Sequence, residues 1–577
     1  MRLRLRAWYA ELLIGLTALA VIFLRLGASG LRHSESRWAE IAREMLLSGD
    51  FFHPTIGWKP YFDKPLLTYW LVAGVAALTR HLNEWAVRAP SALAGVIAVV
   101  ATMYIGRKLW SPRVGRIAGL LLLTSYGFLT WARNAQADME NLAAITLALA
   151  WYWSRRDRPA FTTFLGFYLV AFVGALTKGL PAVIVPLLAL APDLLPERRW
   201  RRLLSPGHIL AAGLGLMIYL APFAYAHLTR PPDYAESGLG LVFRENFLRY
   251  FRAFDHKGPI YLYLYYLPYL ILPWAPLLIA SVVGCFRIRR EMDPRTRWLA
   301  WSALLIFAFF TLSGSRRGYY ILPLLPFCAL LIPVVFIHAR SAAIEPVRRW
   351  GWRLQAWLLG ALIAVELAGV PVARLAGERL GLAVPGGLLW SMPFVGAVAA
   401  LLGYAGYALG RRSGDAPARA LAAMLGAAIG LGGGLVCVQR DMVDMSRTER
   451  PFVSSLAERT LHLAPAHIGV FGSNGTLLLF YLKAEGPLTR LRSGDEVSRF
   501  LAGEGERVVV TRRRFMKEVR RAAPDQLRRP PDLVQKPARE NGRPSGSDWV
   551  AWVNPAATAG SVSDGGPETS TSEPQGP

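Results

Sequence analysis

A helix needs roughly 20 apolar residues to cross the roughly 30 Å hydrocarbon core of a bilayer, where every backbone polar group must find an internal partner. This chain of 577 residues offers thirteen such stretches, centred near residues 18, 98, 124, 147, 169, 187, 217, 270, 304, 329, 364, 397 and 427. The sequence therefore predicts an α-helical polytopic membrane protein with about 13 transmembrane helices. With 18% of its residues charged and 53% hydrophobic, it carries too little charge for a soluble protein of this size. The net charge of +26 does not point to nucleic acid, because the Lys and Arg fall in short clusters between apolar stretches rather than along one soluble face. Cys285, Cys328 and Cys437 lie far apart, in or at the end of apolar segments, so neither a disulfide frame nor a zinc site follows. The first stretch, roughly Trp8 to Leu26, follows a basic start as a signal peptide would. It is long and lacks a small-residue cleavage site, and it reads as a retained first span.

Charge orients the spans. With the N-terminus in the cytoplasm, the inward segments 1–7, 107–116, 155–158, 198–202, 287–297, 340–353 and 411–419 carry 26 Lys and Arg. The short outward turns hold only Arg133, Lys178, Arg316, Arg317, Arg374 and Arg379, the asymmetry expected when basic loops stay inside. An odd number of spans then puts the C-terminal part outside.

The expected organisation is a transmembrane domain over residues 1–438 with long outer loops at 30–87 and 229–258, a soluble periplasmic α/β domain over 439–555, and a disordered tail over 556–577. In the first loop, Ala39 to Leu47 and Leu66 to Leu78 have helical spacing without the length to span, which suits helices lying along the membrane surface. In the soluble part, His467 to Phe471, Leu477 to Leu482, Arg507 to Thr511 and Trp549 to Val553 read as strands, with helices near Glu449 to Leu463 and Asp495 to Leu501. The tail's Ala, Gly, Ser, Thr and Pro leave nothing to bury.

Charged groups at the outer membrane face need an explanation, because burying a charge near lipid is expensive. Four clusters qualify. In His33-Ser34-Glu35-Ser36-Arg37-Trp38-Ala39-Glu40 a carboxylate beside an Arg suits a general base, and a helix N-cap is the plainer alternative. In Lys59-Pro60-Tyr61-Phe62-Asp63-Lys64-Pro65 the prolines fix the backbone and Lys64 offers a point charge for a phosphate, or the segment is a solvated turn. Arg133-Asn134-Ala135-Gln136-Ala137-Asp138-Met139-Glu140 sets two carboxylates at a span boundary, where snorkelling competes with function. Arg316 and Arg317, followed by Tyr319 and Tyr320, break the charge rule, and an outer-leaflet lipid phosphate would account for them. The second long loop adds Glu245, Arg249, Asp255, His256 and Lys257 as further phosphate or metal candidates. Carboxylates and cations gathered on one face, without a Gly-rich phosphate loop or nucleophile elbow, suit transfer from a phosphorylated lipid.

The segments Glu35-Ser36-Arg37-Trp38-Ala39-Glu40-Ile41-Ala42-Arg43-Glu44-Met45, Ser48-Gly49-Asp50, Pro54 and Tyr61-Phe62-Asp63-Lys64-Pro65 resemble the bacterial aminoarabinose transferase and protein O-mannosyltransferase family. Arg88, Ala132-Arg133, Asp138-Met139, Lys178-Gly179 and Tyr320-Ile321-Leu322-Pro323 are similar to that family too, and the likeness runs over roughly residues 8 to 335. The resemblance implies a GT-C fold in the bacterial inner membrane. It implies a glycosyltransferase that takes a pentose or hexose from a polyprenyl-phosphate carrier at the outer leaflet and passes it to a lipid A, glycolipid, polysaccharide or protein acceptor. In the family an Asp-Glu pair opens the first motif, with the Asp as proposed base; here Ser34 stands at the Asp position and Glu35 is kept. Since Ser is no base at neutral pH by itself, the resemblance leaves Glu35 or Asp138 for that role. It further assigns Lys64 and Tyr320 to the donor phosphate; the exceptional cations Arg316 and Arg317 are expected to join them there, and Arg37, Tyr61, Asp63 and Arg88 are expected to position substrate. No cofactor is certain, but some relatives hold a divalent metal between residues matching Asp63 and His256.

The expected chemistry is a single inverting displacement, in which the carboxylate deprotonates the acceptor while the phosphate leaves. The competing readings are a polytopic transporter or lipid flippase, which would place ionisable residues near the midplane, and a catalytically lapsed relative, which the missing Asp keeps open.

Overall fold

The computed structural model describes residues 2–234, 238–243, 258–339, 341–369, 386–411, 416–440, 449–473, 475–535 and 548–554. The chain divides into two compact units, the first spanning Met1–Thr448 and the second beginning at Glu449. The expected tail at 556–577 lies outside the described residues, as do Glu245, Arg249, Asp255, His256, Lys257, Arg374 and Arg379.

The first unit is a polytopic α-helical membrane fold. Its opening helices are α1 (Arg2–Phe23), α2 (His33–Ser48), α3 (Leu67–Thr79), α4 (Glu84–Leu109), α5 (Pro112–Leu123), α6 (Tyr126–Ala132), α7 (Asp138–Arg155), α8 (Ala160–Lys178), α9 (Pro181–Leu194) and α10 (Pro206–Leu228). Among the described residues six helices are long and apolar enough to cross a membrane, or seven if α5 and α6, bent by 69°, count as one span. The other expected centres fall in helices that are shorter, such as α9, or that carry more charge, such as α7. The bend between α5 and α6 has a local cause: the Thr124 and Ser125 hydroxyls donate back to the Leu120 and Leu121 carbonyls, both at 2.7 Å, and the Trp274 indole N–H donates to Thr124 Oγ1 at 2.9 Å.

The long loop after α1 is built from its own carboxylates. Helix α2 starts well before the Ala39 expected from periodicity, because the Glu35 side chain accepts from the Arg32 backbone N–H at 2.9 Å and so caps the first turn. Gly49, at φ 72°, closes the helix in the left-handed region. Strands β1 (Thr55–Ile56) and β2 (Lys59–Pro60) then form an antiparallel hairpin whose turn residues, Gly57 and Trp58, have φ of 61° and 60°. Glu44 on α2 holds that strained turn: its carboxylate accepts from Gly57 N at 2.6 Å, from Trp58 N at 3.2 Å and from the Thr55 hydroxyl. Helix α3, of 13 residues, is too short to span and packs against α2, α4 and α8.

One turn before Glu44, Glu40 is fully buried and takes both Nε (2.9 Å) and Nη2 (2.7 Å) of Arg43. Burial pushes its carboxyl up to about 7, the Arg43 pair only partly opposing. Since the folded value lies above the ordinary 4.5, the folded protein binds the extra proton, and stability falls as pH rises from about 4.5 to about 7. The full rise corresponds to on the order of 3 kcal/mol. Glu40→Gln should flatten this slope, read as thermal unfolding in detergent between about pH 5 and pH 8. A variant that keeps the wild-type slope would place the titration elsewhere.

The second unit is a five-stranded sheet in the order β4-β3-β5-β7-β6, from β3 (Ile468–Phe471), β4 (Thr489–Leu491), β5 (Arg507–Arg512), β6 (Leu533–Val534) and β7 (Trp549–Asn554). β3 runs parallel to β4 and β5, while β7 is antiparallel to β5 and β6. Alternation gives each face its core: Val508, Val510, Trp549 and Ala551 on one, Val509, Val550 and Trp552 on the other. The helices Arg450–Thr460 and Gly494–Leu501 match expectation, but the expected strand at Leu477 to Leu482 is the helix Thr476–Leu482. A short apolar run does not distinguish a buried strand from a buried helix, and here it must cross between the parallel strands β3 and β4.

Candidate active site

Three clusters assemble around the N-terminal ends of α2, α4 and α7 and the C-terminal end of α8. The first centres on Glu35, which is 1% exposed. Its Oε1 accepts from Arg88 Nε at 2.8 Å and Ala135 N at 3.0 Å, and its Oε2 from Arg88 Nη2 at 2.8 Å and Arg32 N at 2.9 Å. Burial pushes this carboxyl up, but the Arg88 charge and the hydrogen bonds from Arg88, Ala135 and Arg32 outweigh it and hold it below the ordinary 4.5. Arg88 also donates to the carbonyls of Leu26, Ser29 and Gly30, each at 2.9 Å. The pair thus ties the end of α1, the start of α2, helix α4 and the turn before α7 into one unit.

The second cluster is the base of the Tyr61 to Pro65 segment. Arg37 Nη1 donates to the Tyr61 hydroxyl at 3.0 Å and lies 3.6 Å from Asp63 Oδ2. Lys64 Nζ donates to the Asp63 carboxylate at 3.0 Å and to its backbone carbonyl at 2.9 Å. Asp63 therefore serves two cations. Among the described residues no three His, Cys, Asp or Glu side chains gather to hold a metal. His256, the other expected ligand, lies outside those residues.

The third cluster centres on Asp138, the first residue of α7, which is 7% exposed. Its Oδ1 accepts from Lys178 Nζ, at the last residue of α8. The same ammonium lies 4.6 Å from the ring centre of Tyr320 and 5.5 Å from that of Tyr319. Tyr319 packs against Trp131 with the rings tilted by 34° and their centroids 4.3 Å apart, and its hydroxyl accepts from Arg317 Nη1 at 2.9 Å. Both tyrosines belong to the helical stretch Gly318–His338, and its first turns touch α7. Arg316 turns elsewhere, donating from Nε to the Gly258 carbonyl at 3.1 Å and from Nη1 to the Ser313 carbonyl.

The structure thus joins Asp138 to Tyr320 and Arg317 through Lys178 and Tyr319, joins Arg37, Tyr61, Asp63 and Lys64, and pairs Glu35 with Arg88. Ser34 links the first and third clusters, since its hydroxyl accepts from Gln136 Nε2 at 3.0 Å. Lys178 and Gln136 had no role assigned from the sequence, Tyr319 entered only as a member of the Arg316 and Arg317 cluster, and Tyr263 had no signal at all. The Tyr263 hydroxyl is buried without a hydrogen-bond partner among the described residues. For Lys178 the signal was its place among the few outward cations.

A family model, that of the dolichyl-phosphate-mannose-protein mannosyltransferases, matches residues 63–225. The chain is 32% identical over 383 residues to an undecaprenyl phosphate-α-4-amino-4-deoxy-L-arabinose arabinosyl transferase of Pseudomonas fluorescens, covering 64% of this chain and 67% of that one. It is 33% identical over 315 residues to the corresponding transferase of Pseudomonas paraeruginosa, covering 53% of this chain and spanning about half, 54%, of that relative's length. The crystal structure of ArnT from Cupriavidus metallidurans bound to undecaprenyl phosphate superposes with a TM-score of 0.70 at 23% identity, covering 95% of this chain and 99% of that one, and so shares the fold. With two thirds of the Pseudomonas fluorescens relative matched at 32% identity, the chain belongs to the family of undecaprenyl phosphate-α-4-amino-4-deoxy-L-arabinose arabinosyl transferases.

Proposed function

We propose that the chain is a membrane glycosyltransferase that moves a sugar from a polyprenyl-phosphate carrier to an acceptor at the outer face of the bacterial inner membrane. The observation that carries this reading is the Asp138 carboxylate paired with Lys178, whose ammonium faces the Tyr319 and Tyr320 rings, with Arg317 on the Tyr319 hydroxyl: a carboxylate next to cations and hydroxyls of the kind that bind phosphate. Asp138 takes the base role. Glu35, with both oxygens held by four donors and its carboxyl kept ionised by Arg88, acts as a positioning residue instead. Ser34, at the family's Asp position, orients the Gln136 turn that precedes Asp138.

The reaction is one inverting displacement. The acceptor's O–H proton passes to Asp138, its oxygen bonds to the anomeric carbon, and the carbon–oxygen bond to the carrier phosphate breaks with its electron pair on the phosphate. Lys64, Arg317 and Tyr320 stabilise the charge growing on that phosphate, while Arg316 fixes the loop through Gly258 and Ser313. In this reading the N-terminus is cytoplasmic and the second unit periplasmic, as the distribution of Lys and Arg suggests.

The test uses the full chain in proteoliposomes containing a polyprenyl-phosphate-linked pentose and extracted envelope lipids, with mass spectrometry of the products. A glycosylated acceptor and free polyprenyl phosphate are expected. Lys64→Met and Tyr320→Phe should each raise the donor KM by roughly tenfold or more, the loss expected for a hydrogen bond to a charged group. Lipid crossing the vesicle without glycosylated product would make the chain a transporter and sink the proposal.

A further inference from the structure

Lys178 is placed to serve two partners in turn. Its side chain is 24% exposed against 8% for Asp138, so an anion arriving from solvent or lipid meets the ammonium before the carboxylate. The ammonium sits between Asp138 and the Tyr320 ring, at 4.6 Å from the latter, on a flexible stem that offers three donors in place of arginine's rigid fork. While Lys178 Nζ is seated on Oδ1 of Asp138, it occupies the place that an acceptor's O–H would take on that oxygen.

We propose that Lys178 is shared between the base and the donor: it pairs with Asp138 in the donor-free protein and moves to the carrier phosphate beside Tyr320 when the donor binds, which unmasks Asp138 as the base. This rests on the glycosyltransferase reading above. Lys178 keeps its protons throughout, and the acceptor's proton goes to Asp138. The attraction strengthens during the reaction, since the phosphate gains charge as its bond to the sugar breaks. Donor binding and access to the base are thereby coupled, so an acceptor is deprotonated only where a sugar waits.

Binding of polyprenyl phosphate to the full chain in nanodiscs gives the first test. Asp138→Asn, which frees Lys178 from its partner, should bind it at least as tightly as the wild type, and roughly tenfold weaker binding would overturn the proposal. Lys178→Met should raise the donor KM by roughly tenfold and weaken inhibition by added polyprenyl phosphate by the same factor. Lys178→Arg should restore most of the donor KM. A Lys178→Met protein with the wild-type donor KM would reject the shared cation while leaving the transferase reading intact. A wild-type protein forming no glycosylated product would reject that reading first.

Discussion

Asp138→Asn is expected to slow sugar transfer by about 10² to 10⁴-fold, the range that a positioned general base contributes, while the protein still folds and still binds its donor. The amide is isosteric with the carboxylate, so the packing at the start of α7 is preserved, and the loss falls on proton acceptance alone. Lys178 loses its partner in this variant. Donor affinity should therefore hold or improve, because the phosphate no longer competes with Asp138 for the ammonium. The measurement is single-turnover transfer with donor saturating, which separates chemistry from binding. Glu35→Gln is the informative comparison: it should lower thermal stability, while the protein that stays folded transfers sugar far faster than Asp138→Asn. A folded Asp138→Asn protein with the wild-type rate would show that the base lies elsewhere.

The transmembrane half was legible because the physical signal is long. Apolar stretches of spanning length have few alternatives to helices, and the expected centres from 18 to 427 fall in helices or, near 124, at the break between α5 and α6. Length alone did not reveal that break. It comes from two hydroxyls, Thr124 and Ser125, competing with the helix ladder, a local choice made worthwhile by the distant Trp274. The strand expected at Leu477 to Leu482 failed for the opposite reason, since six apolar residues carry no period and the crossover topology decided their conformation.

The site was half legible. The motifs were visible, and Arg37, Tyr61, Asp63 and Lys64 share a neighbourhood because they lie within 28 positions of one another. Roles were harder. A carboxylate at a membrane face looks equally functional whether it is a base or a buried staple, and the difference lies in partners far away in sequence. Glu35 meets Arg88 across 53 positions and Ala135 across 100, and Asp138 meets Lys178 across 40. Arg316 and Arg317 are neighbours, yet one is held by backbone carbonyls and the other by a tyrosine of the site. No periodicity encodes that division.

Arg88→Met is expected to be the most destabilising single change in the first unit, costing about 3 to 5 kcal/mol, because it leaves the Glu35 carboxylate buried without its counter-charge. It also strips donors from the carbonyls of Leu26, Ser29 and Gly30, where α1 hands over to α2. The sign with pH follows from the pair. Glu35's folded value lies below its ordinary 4.5, so the wild-type contribution is present above about 4.5 and is lost as pH falls through the folded value. Without Arg88, only the backbone hydrogen bonds from Ala135 and Arg32 oppose burial, so the neutral form gains and the variant's deficit should shrink as pH falls. The double variant Glu35→Gln/Arg88→Met removes the buried charge itself, and it should recover part of the stability lost by Arg88→Met. Thermal unfolding of the four proteins in detergent forms the cycle that isolates this coupling. If the double variant were as unstable as the sum of the two singles, the ion pair would not be what joins α1, α2, α4 and the turn before α7, and the arginine's bonds to the backbone carbonyls would carry that role instead.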